Sequence, residues 1–381
     1  MTFYPAGRMV AEGKASQLYP DPSATSLIST FFNTYTHQVL DQLPQGKIAV
    51  YMYPPLTAYL FQPLGLLTPP LALMVWQGLS IIAYALSVHL IAVLKHKDAR
   101  KYFLVSILYF PILQTLLLGH LAIVLGLLPL SVGYWLLMSK RPVLAGIAFA
   151  ALLLKPQFLP VGLLIACALA LNGRFRFGLA FLLGMLALGL ATIMSLGPDV
   201  SYKWMLSLRL SDTIFSDPNY GYQTYLVSSL PGAVLQILPF SLRSSAKLVL
   251  YPLALAIGVH ALFVAWRLIK QAGQDYLSAL PFAFLVGLFV LPLVLPHFLL
   301  YDLSVLALGA VIIYTNDWTQ LDRRLNRDLL LAWIFIDVYI PIAAVAFVKM
   351  HSLLPFILLA ALTVLYVRIL ALCRGQAPRN A

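Results

Sequence analysis

Lys155, His297 and Asp302 are the residues of this 381-residue chain whose types and placement could most directly do chemistry. Lys155 stands in Lys155-Pro156, where two short apolar runs meet. An ammonium there is costly in lipid unless an anion or water answers it, so it is a candidate for holding a phosphate. The plain alternative is a lysine whose stem lies along apolar surface with its head at the interface. His297 and Asp302 open another apolar run within about two helical turns of each other, so they could face one cavity. A carboxylate so placed could act as a base; the alternative for Asp302 is a helix N-terminal acid favoured by the macrodipole. Arg8, beside Tyr4, is a second cation for the same phosphate or a solvated loop arginine. His120 starts a helix, where a capping or interfacial role competes with binding. Asp337, inside an apolar run, is either a buried polar contact or part of a pathway.

The elements that must position these residues are membrane helices. Hydrophobic residues make up 61% of the chain, well above the roughly 45–50% of soluble domains. A hydrocarbon core of about 30 Å takes about 20 helical residues, and the sequence offers about eleven near-uncharged runs of that order. They are 71–94, 102–118, 121–138, 143–154, 158–171, 177–196, 248–266, 277–295, 298–314, 329–348 and 353–372. The fourth and fifth are short and meet at Lys155-Pro156, which predicts a tilted or broken pair. The ten-residue alternation of a spanning barrel is absent. The fold class is therefore all-α and polytopic, with residues 1–70 as a first loop, 71–372 as the helical domain with a loop over 197–247, and 373–381 as a tail.

Lys and Arg cluster in links 95–101, 140–141, 174–176, 267–270 and 323–327 and in the tail. All fall on one side if the helices alternate, and that side is the cytoplasm by the positive-inside rule. This accounts for most of the net charge of +12 without nucleic-acid binding, because the basic residues are dispersed over links. It also places residues 1–70 outside, although no apolar run in them could carry them across; a membrane helix upstream of Met1 is expected. Within the first loop, short helices are expected over 6–12 and 26–43, with an interfacial segment over 56–67. In the 197–247 loop an amphipathic helix is expected around 202–206. Two cysteines exclude a disulfide framework. No metal-ligand spacing, Walker loop or Gly-x-Gly-x-x-Gly occurs, so neither a metal nor an ATP or NAD cofactor is expected.

The order Phe3-Tyr4-Pro5-Ala6-Gly7-Arg8, Gly13, Leu18-Tyr19-Pro20-Asp21-Pro22 and Tyr53-Pro54-Pro55-Leu56 resembles the first external loop of glycosyltransferase family 87. That family comprises bacterial polyprenyl-phosphate-mannose-dependent α-mannosyltransferases of the GT-C superfamily. Gly119-His120, Arg141-Pro142 through Ala145-Gly146 to Lys155-Pro156, and Pro296-His297 with Tyr301-Asp302-Leu303 continue the likeness in order, with His120 where the family usually has Gln.

The resemblance implies transfer of a sugar, mannose above all, from a polyprenyl-phosphate donor to a glycan or glycolipid acceptor at the outer face of the bacterial cytoplasmic membrane. The implied step is a single inverting displacement, in which a carboxylate takes the acceptor proton and cations stabilise the leaving phosphate. The family's base is an Asp in an Asp-Phe pair expected just upstream of Met1; within this chain the catalytic candidates are Asp302 and His297. Lys155, Arg8 and His120 become donor-phosphate candidates. Tyr4, Tyr53, Tyr222 and Gln223 become substrate-binding candidates, the last two in an aromatic, turn-rich stretch suited to stacking on sugar rings or to an interfacial belt. Two other readings stay open at this point: a non-catalytic lipid-binding accessory protein, and a lipid flippase or secondary transporter.

Overall fold

A computed structural model describes residues 2–24, 29–44, 46–216, 227–346 and 354–376. Each of the eleven apolar runs is helical over most of its length. The chain order is α1 (Phe3–Ala11), α2 (Phe31–Val39), α3 (Pro55–Leu60), α4 (Gln62–Gly65), α5 (Pro69–Val93), α6 (Ala99–Ser106), α7 (Phe110–Leu118), α8 (Leu128–Met138), α9 (Pro142–Ala150) and α10 (Leu159–Ala170). It continues through α11 (Phe175–Leu196), α12 (Pro198–Ser216), α13 (Leu230–Ile237), α14 (Phe240–Ala272), α15 (Tyr276–Val294), α16 (Val305–Thr315), α17 (Trp318–Leu321), α18 (Arg323–Ala346) and α19 (Leu354–Gln376). The protein is an all-α polytopic membrane protein. The segments Pro69–Val93, Phe175–Leu196, Ser241–Val294 and Pro355–Gly375 are each long and apolar enough to cross a bilayer. The pair α6 and α7 is apolar and bent by 76°, the geometry of a broken span or a re-entrant loop, and α8, α9, α10 and α16 are shorter.

Two compact units are present. The first is built on Met1–Ile81, Leu117–His120 and Met185–Thr224. Its helices differ from the expected bounds: α1 begins at Phe3 rather than residue 6, and among the described residues of the 26–43 stretch the helix is α2, capped by Thr30, whose hydroxyl accepts from the Asn33 amide (3.3 Å). Residues 55–65 form two short helices, and the segment expected around 202–206 is the longer α12. A cluster of Phe3, Tyr19, Phe32, Tyr51 and Phe61 fills the interior, with the half-buried Tyr53 ring 4.8 Å from that of Phe3. Trp204 of α12 donates to the Met52 carbonyl (3.2 Å).

Gly7 explains part of the loop pattern. A Cβ placed there would stand 2.3 Å from the Phe61 carbonyl oxygen, and one on Gly65 would stand 2.4 Å from the Arg8 amide nitrogen. Helix α1 thus meets the α3–α4 segment backbone to backbone, which a side chain forbids. Gly7→Ala is expected to destabilise the protein by about 1–3 kcal/mol, the range for overpacking. An unchanged thermal midpoint for this variant would show that α1 can move away at no cost.

The second unit comprises Ile82–Leu116, Leu121–Gly184 and Tyr225–Ala381. Helices α14 and α15 form its central hairpin, turning at Gly273 (φ +55°). A Cβ on Gly258 would lie 3.8 Å from Val294, so the chain doubles back. Helices α15 and α16 are apolar on every side and buried almost throughout, as an all-round hydrophobic helix must be. On α11, Leu179, Leu182, Leu183, Leu186, Leu190 and Met194 are exposed, a surface suited to lipid.

The run expected as one helix over 102–118 is broken for a stated reason. Pro111 cannot donate a hydrogen bond and suits the first turn of a new helix. Asp337 of α18 accepts the Phe110 amide at 2.8 Å and so caps α7. Asp337 is therefore a half-buried polar contact at the break.

Several links are tied by polar contacts within the second unit. Lys97 pairs with Asp317 (2.7 Å), Arg174 donates to the Gly273 carbonyl (2.7 Å), and Arg368, inside α19, pairs with Asp328 of α18 (2.6 Å). Ser228 and Ser229 donate to the carbonyls of Phe298 and Pro296.

Candidate active site

The sequence forces a break at Lys155. A residue before proline is driven out of the helical region, and Lys155 sits at φ −132°, ψ 75°. Upstream, α9 tightens into a 3₁₀ turn over Ala151–Leu154; downstream, a second 3₁₀ turn, Pro156–Phe158, leads into α10. Two more irregular segments meet this break: a π-helical turn over Ala122–Leu127 and a 3₁₀ turn over Leu300–Ser304. Gly126 permits the packing, since a Cβ there would be 2.2 Å from the Phe158 ring. Irregular backbone at membrane depth is tolerated only where protein or a wet cavity surrounds it, and π turns recur at functional sites.

At this convergence Lys155 Nζ lies 2.7 Å from Asp302 Oδ1, and both side chains are inaccessible to solvent. Asp302 Oδ2 also accepts the Leu299 amide (3.2 Å), which caps the 3₁₀ turn. The ammonium lies 5.2 Å from the Tyr301 ring centre and 5.7 Å from that of Phe158. Thr115 of α7 donates to the Tyr301 carbonyl (3.3 Å). The buried Ser304 hydroxyl and the side-chain carbonyl oxygens of Gln114 and Gln157 have no hydrogen-bond partner within the described residues. Buried polar atoms are rarely left so.

Of the residues singled out in the sequence, Lys155 and Asp302 are brought together. Their joint burial corrects the picture of a lysine reaching to the interface. His297 is half-buried in the α15–Leu300 connection, beside the Pro296 carbonyl that accepts from Ser229.

Arg8, Tyr4, Tyr53 and His120 belong to the first unit. Arg8 lines a cavity of about 360 Å³ with Glu12, Gly65 and Thr68. Its guanidinium contacts Glu12 (3.1 Å) and the Tyr4 hydroxyl (3.4 Å), and that hydroxyl donates to the Leu67 carbonyl (2.8 Å). Arg8 is thus neither fully solvated nor open to a phosphate without competition. Lys14 and then the contacts from Tyr35 and Arg8 outweigh desolvation and draw the Glu12 carboxyl down to about 2. The stabilisation is complete above the ordinary carboxylate range and is lost as pH falls through it toward 2; the partial exposure of both partners keeps it small.

Tyr53 packs its ring on Phe3 and accepts from the Tyr19 hydroxyl through its carbonyl. His120 offers its carbonyl to Trp76 Nε1 (3.4 Å). Tyr222 and Gln223 lie outside the described residues. Thr115, Ser304, Gln114 and Gln157 were not singled out in the sequence. A polar residue inside a strongly apolar run was the available signal for the first three, and adjacency to Lys155-Pro156 for Gln157.

An ion pair buried at a meeting of broken helices in an all-α membrane protein marks a candidate functional site. The model of glycosyltransferase family 87 matches residues 51–296, and the chain belongs to that family. It is a membrane glycosyltransferase by that membership. Comparison with curated proteins and with solved structures gives no significant match.

Proposed function

We propose that the protein transfers a sugar, mannose by the family resemblance, from a polyprenyl-phosphate donor to a glycan or glycolipid hydroxyl at the outer face of the bacterial cytoplasmic membrane. The observation that carries this reading is the 2.7 Å Lys155–Asp302 pair buried among broken helices. A lipid-linked donor keeps its tail in the bilayer and its phosphate at helix ends, the depth at which a buried lysine is useful. In the resting state Asp302 neutralises Lys155. A donor phosphate arriving at the ammonium replaces the carboxylate as its partner and frees Asp302.

The chemistry is then one displacement. The acceptor oxygen forms the new bond to the anomeric carbon as the bond to the phosphate oxygen breaks. Lys155 stabilises charge growing on the leaving phosphate. Of this chain's carboxylates, Asp302 is the one placed to take the acceptor proton, with His297 in the same connection as the second candidate.

The test uses purified full-length protein in proteoliposomes with lipid extract as acceptor. Radiolabelled mannosyl-phosphoryl polyprenol is expected to label the acceptor, whereas a nucleotide-activated mannose supplied alone is not. Labelling from the nucleotide sugar alone would overturn the donor assignment.

A further inference from the structure

A second cavity, of about 350 Å³, opens in the second unit at the membrane end carrying the basic links. It is lined by Lys140, Arg174 and Arg176 together with Pro142, Phe177 and Tyr276. We propose that this cavity binds the phosphate of an anionic phospholipid headgroup in the leaflet on that side, a site separate from the Lys155–Asp302 centre.

Three observations converge on a phosphate. Three cations surround one space, and no carboxylate lines it; Asp275, the acid nearest in sequence, is exposed and makes no ion pair within the described residues. Arg174 is fixed rather than floating, with its guanidinium on the Tyr276 ring (4.1 Å) and bonded to the Gly273 carbonyl (2.7 Å) and the Asn172 carbonyl (3.3 Å). The cavity also receives the starts of two helices: Pro142 opens α9 and Phe175 opens α11. Each follows an arginine, which has no side-chain acceptor for the first-turn amides, and α9 has no side-chain cap. These amides and the positive helix ends favour an anion.

A lipid headgroup is favoured over a free phosphate by the surroundings. Val143, Leu144, Leu171 and Phe175 are large apolar residues exposed at the same end, with Phe175 64% exposed. They supply a surface for acyl chains directly beside the cations. Topogenic charge alone would require only that the links be basic; it would not gather three cations and two helix ends around one cavity.

The experiment measures retention of phosphatidylglycerol by full-length protein purified from phosphatidylcholine-phosphatidylglycerol nanodiscs, read by native mass spectrometry. Lys140→Gln with Arg176→Gln, both exposed positions, is expected to weaken retention roughly tenfold to thirtyfold, since each cation near an anionic surface contributes on the order of 1 kcal/mol. Lys95→Gln with Lys101→Gln removes equal charge from another link and should leave retention unchanged. Lys140→Arg should keep it. Equal loss in the two double variants would mean diffuse attraction and overturn the site, as would no loss in the first. Displacement of the lipid by millimolar inorganic phosphate would reassign the cavity to a soluble anion. Because both substituted side chains are exposed, thermal midpoints should be unchanged, and Arg176→Gln alone provides the milder variant if they are not.

Discussion

Asp302→Ala is expected to lower stability by about 3–5 kcal/mol, the cost of leaving one partner of a buried ion pair uncompensated. The size follows from the burial: neither side chain of the pair reaches solvent, so water cannot replace the lost carboxylate. The neighbouring Phe158 and Tyr301 rings offer the ammonium only a small fraction of that stabilisation. Asp302→Asn separates two roles, because it can still accept the Leu299 amide while losing the charge. It should fall between wild type and the alanine variant. Replacing both partners, as Lys155→Met with Asp302→Leu, should recover most of the loss, since apolar pairs of similar volume commonly match or exceed buried ion pairs. Thermal midpoints of the four proteins in one detergent test this. A double variant as unstable as Asp302→Ala would show that the pair is not acting as a charge couple.

The fold was legible wherever burial or lipid contact dominates. Runs such as 277–295 and 298–314 are apolar on all sides, and α15 and α16 are correspondingly enclosed. Hydropathy could not show where helices break by tertiary contact. The bend before Phe110 needs an acceptor from Asp337, which lies 227 residues away in sequence, and no periodic pattern carries that information. Pro111 and an acid in an apolar run were its separate traces. In the site, Lys155-Pro156 announced its own break through the pre-proline restriction, and Asp302 was visible as an intramembrane acid. That the two touch was not legible, because separate helix pairs bring them together. The π turn over Ala122–Leu127 left only Gly126 as a trace, and its close approach to Phe158 is a packing fact. In the first loop, the substrate-binding candidates Tyr4 and Tyr53 also make contacts that hold the fold: Tyr4 ties α1 to Leu67 and the Tyr53 ring packs on Phe3.

Stability and chemistry at the ion pair can be separated, and the second large effect lies in the chemistry. The double variant Lys155→Met with Asp302→Leu should remain folded yet transfer sugar at least tenfold to a hundredfold more slowly than wild type. That lower bound corresponds to losing the Lys155 contact alone, about 1.5–3 kcal/mol in the transition state, and loss of Asp302 as base adds to it. A strut would behave differently, because restoring its stability would restore the rate. The kinetic split is the sharper readout. If Lys155 holds the donor phosphate, Lys155→Arg should retain transfer with altered donor kcat/KM, since it preserves charge in a different shape. Its acceptor KM, measured at saturating donor, should be unchanged. Initial rates over a donor series and an acceptor series, for wild type, Lys155→Arg and the double variant, decide the matter. Wild-type rates in the folded double variant would remove both residues from the reaction, and a change confined to acceptor KM would move Lys155 from the donor to the acceptor side.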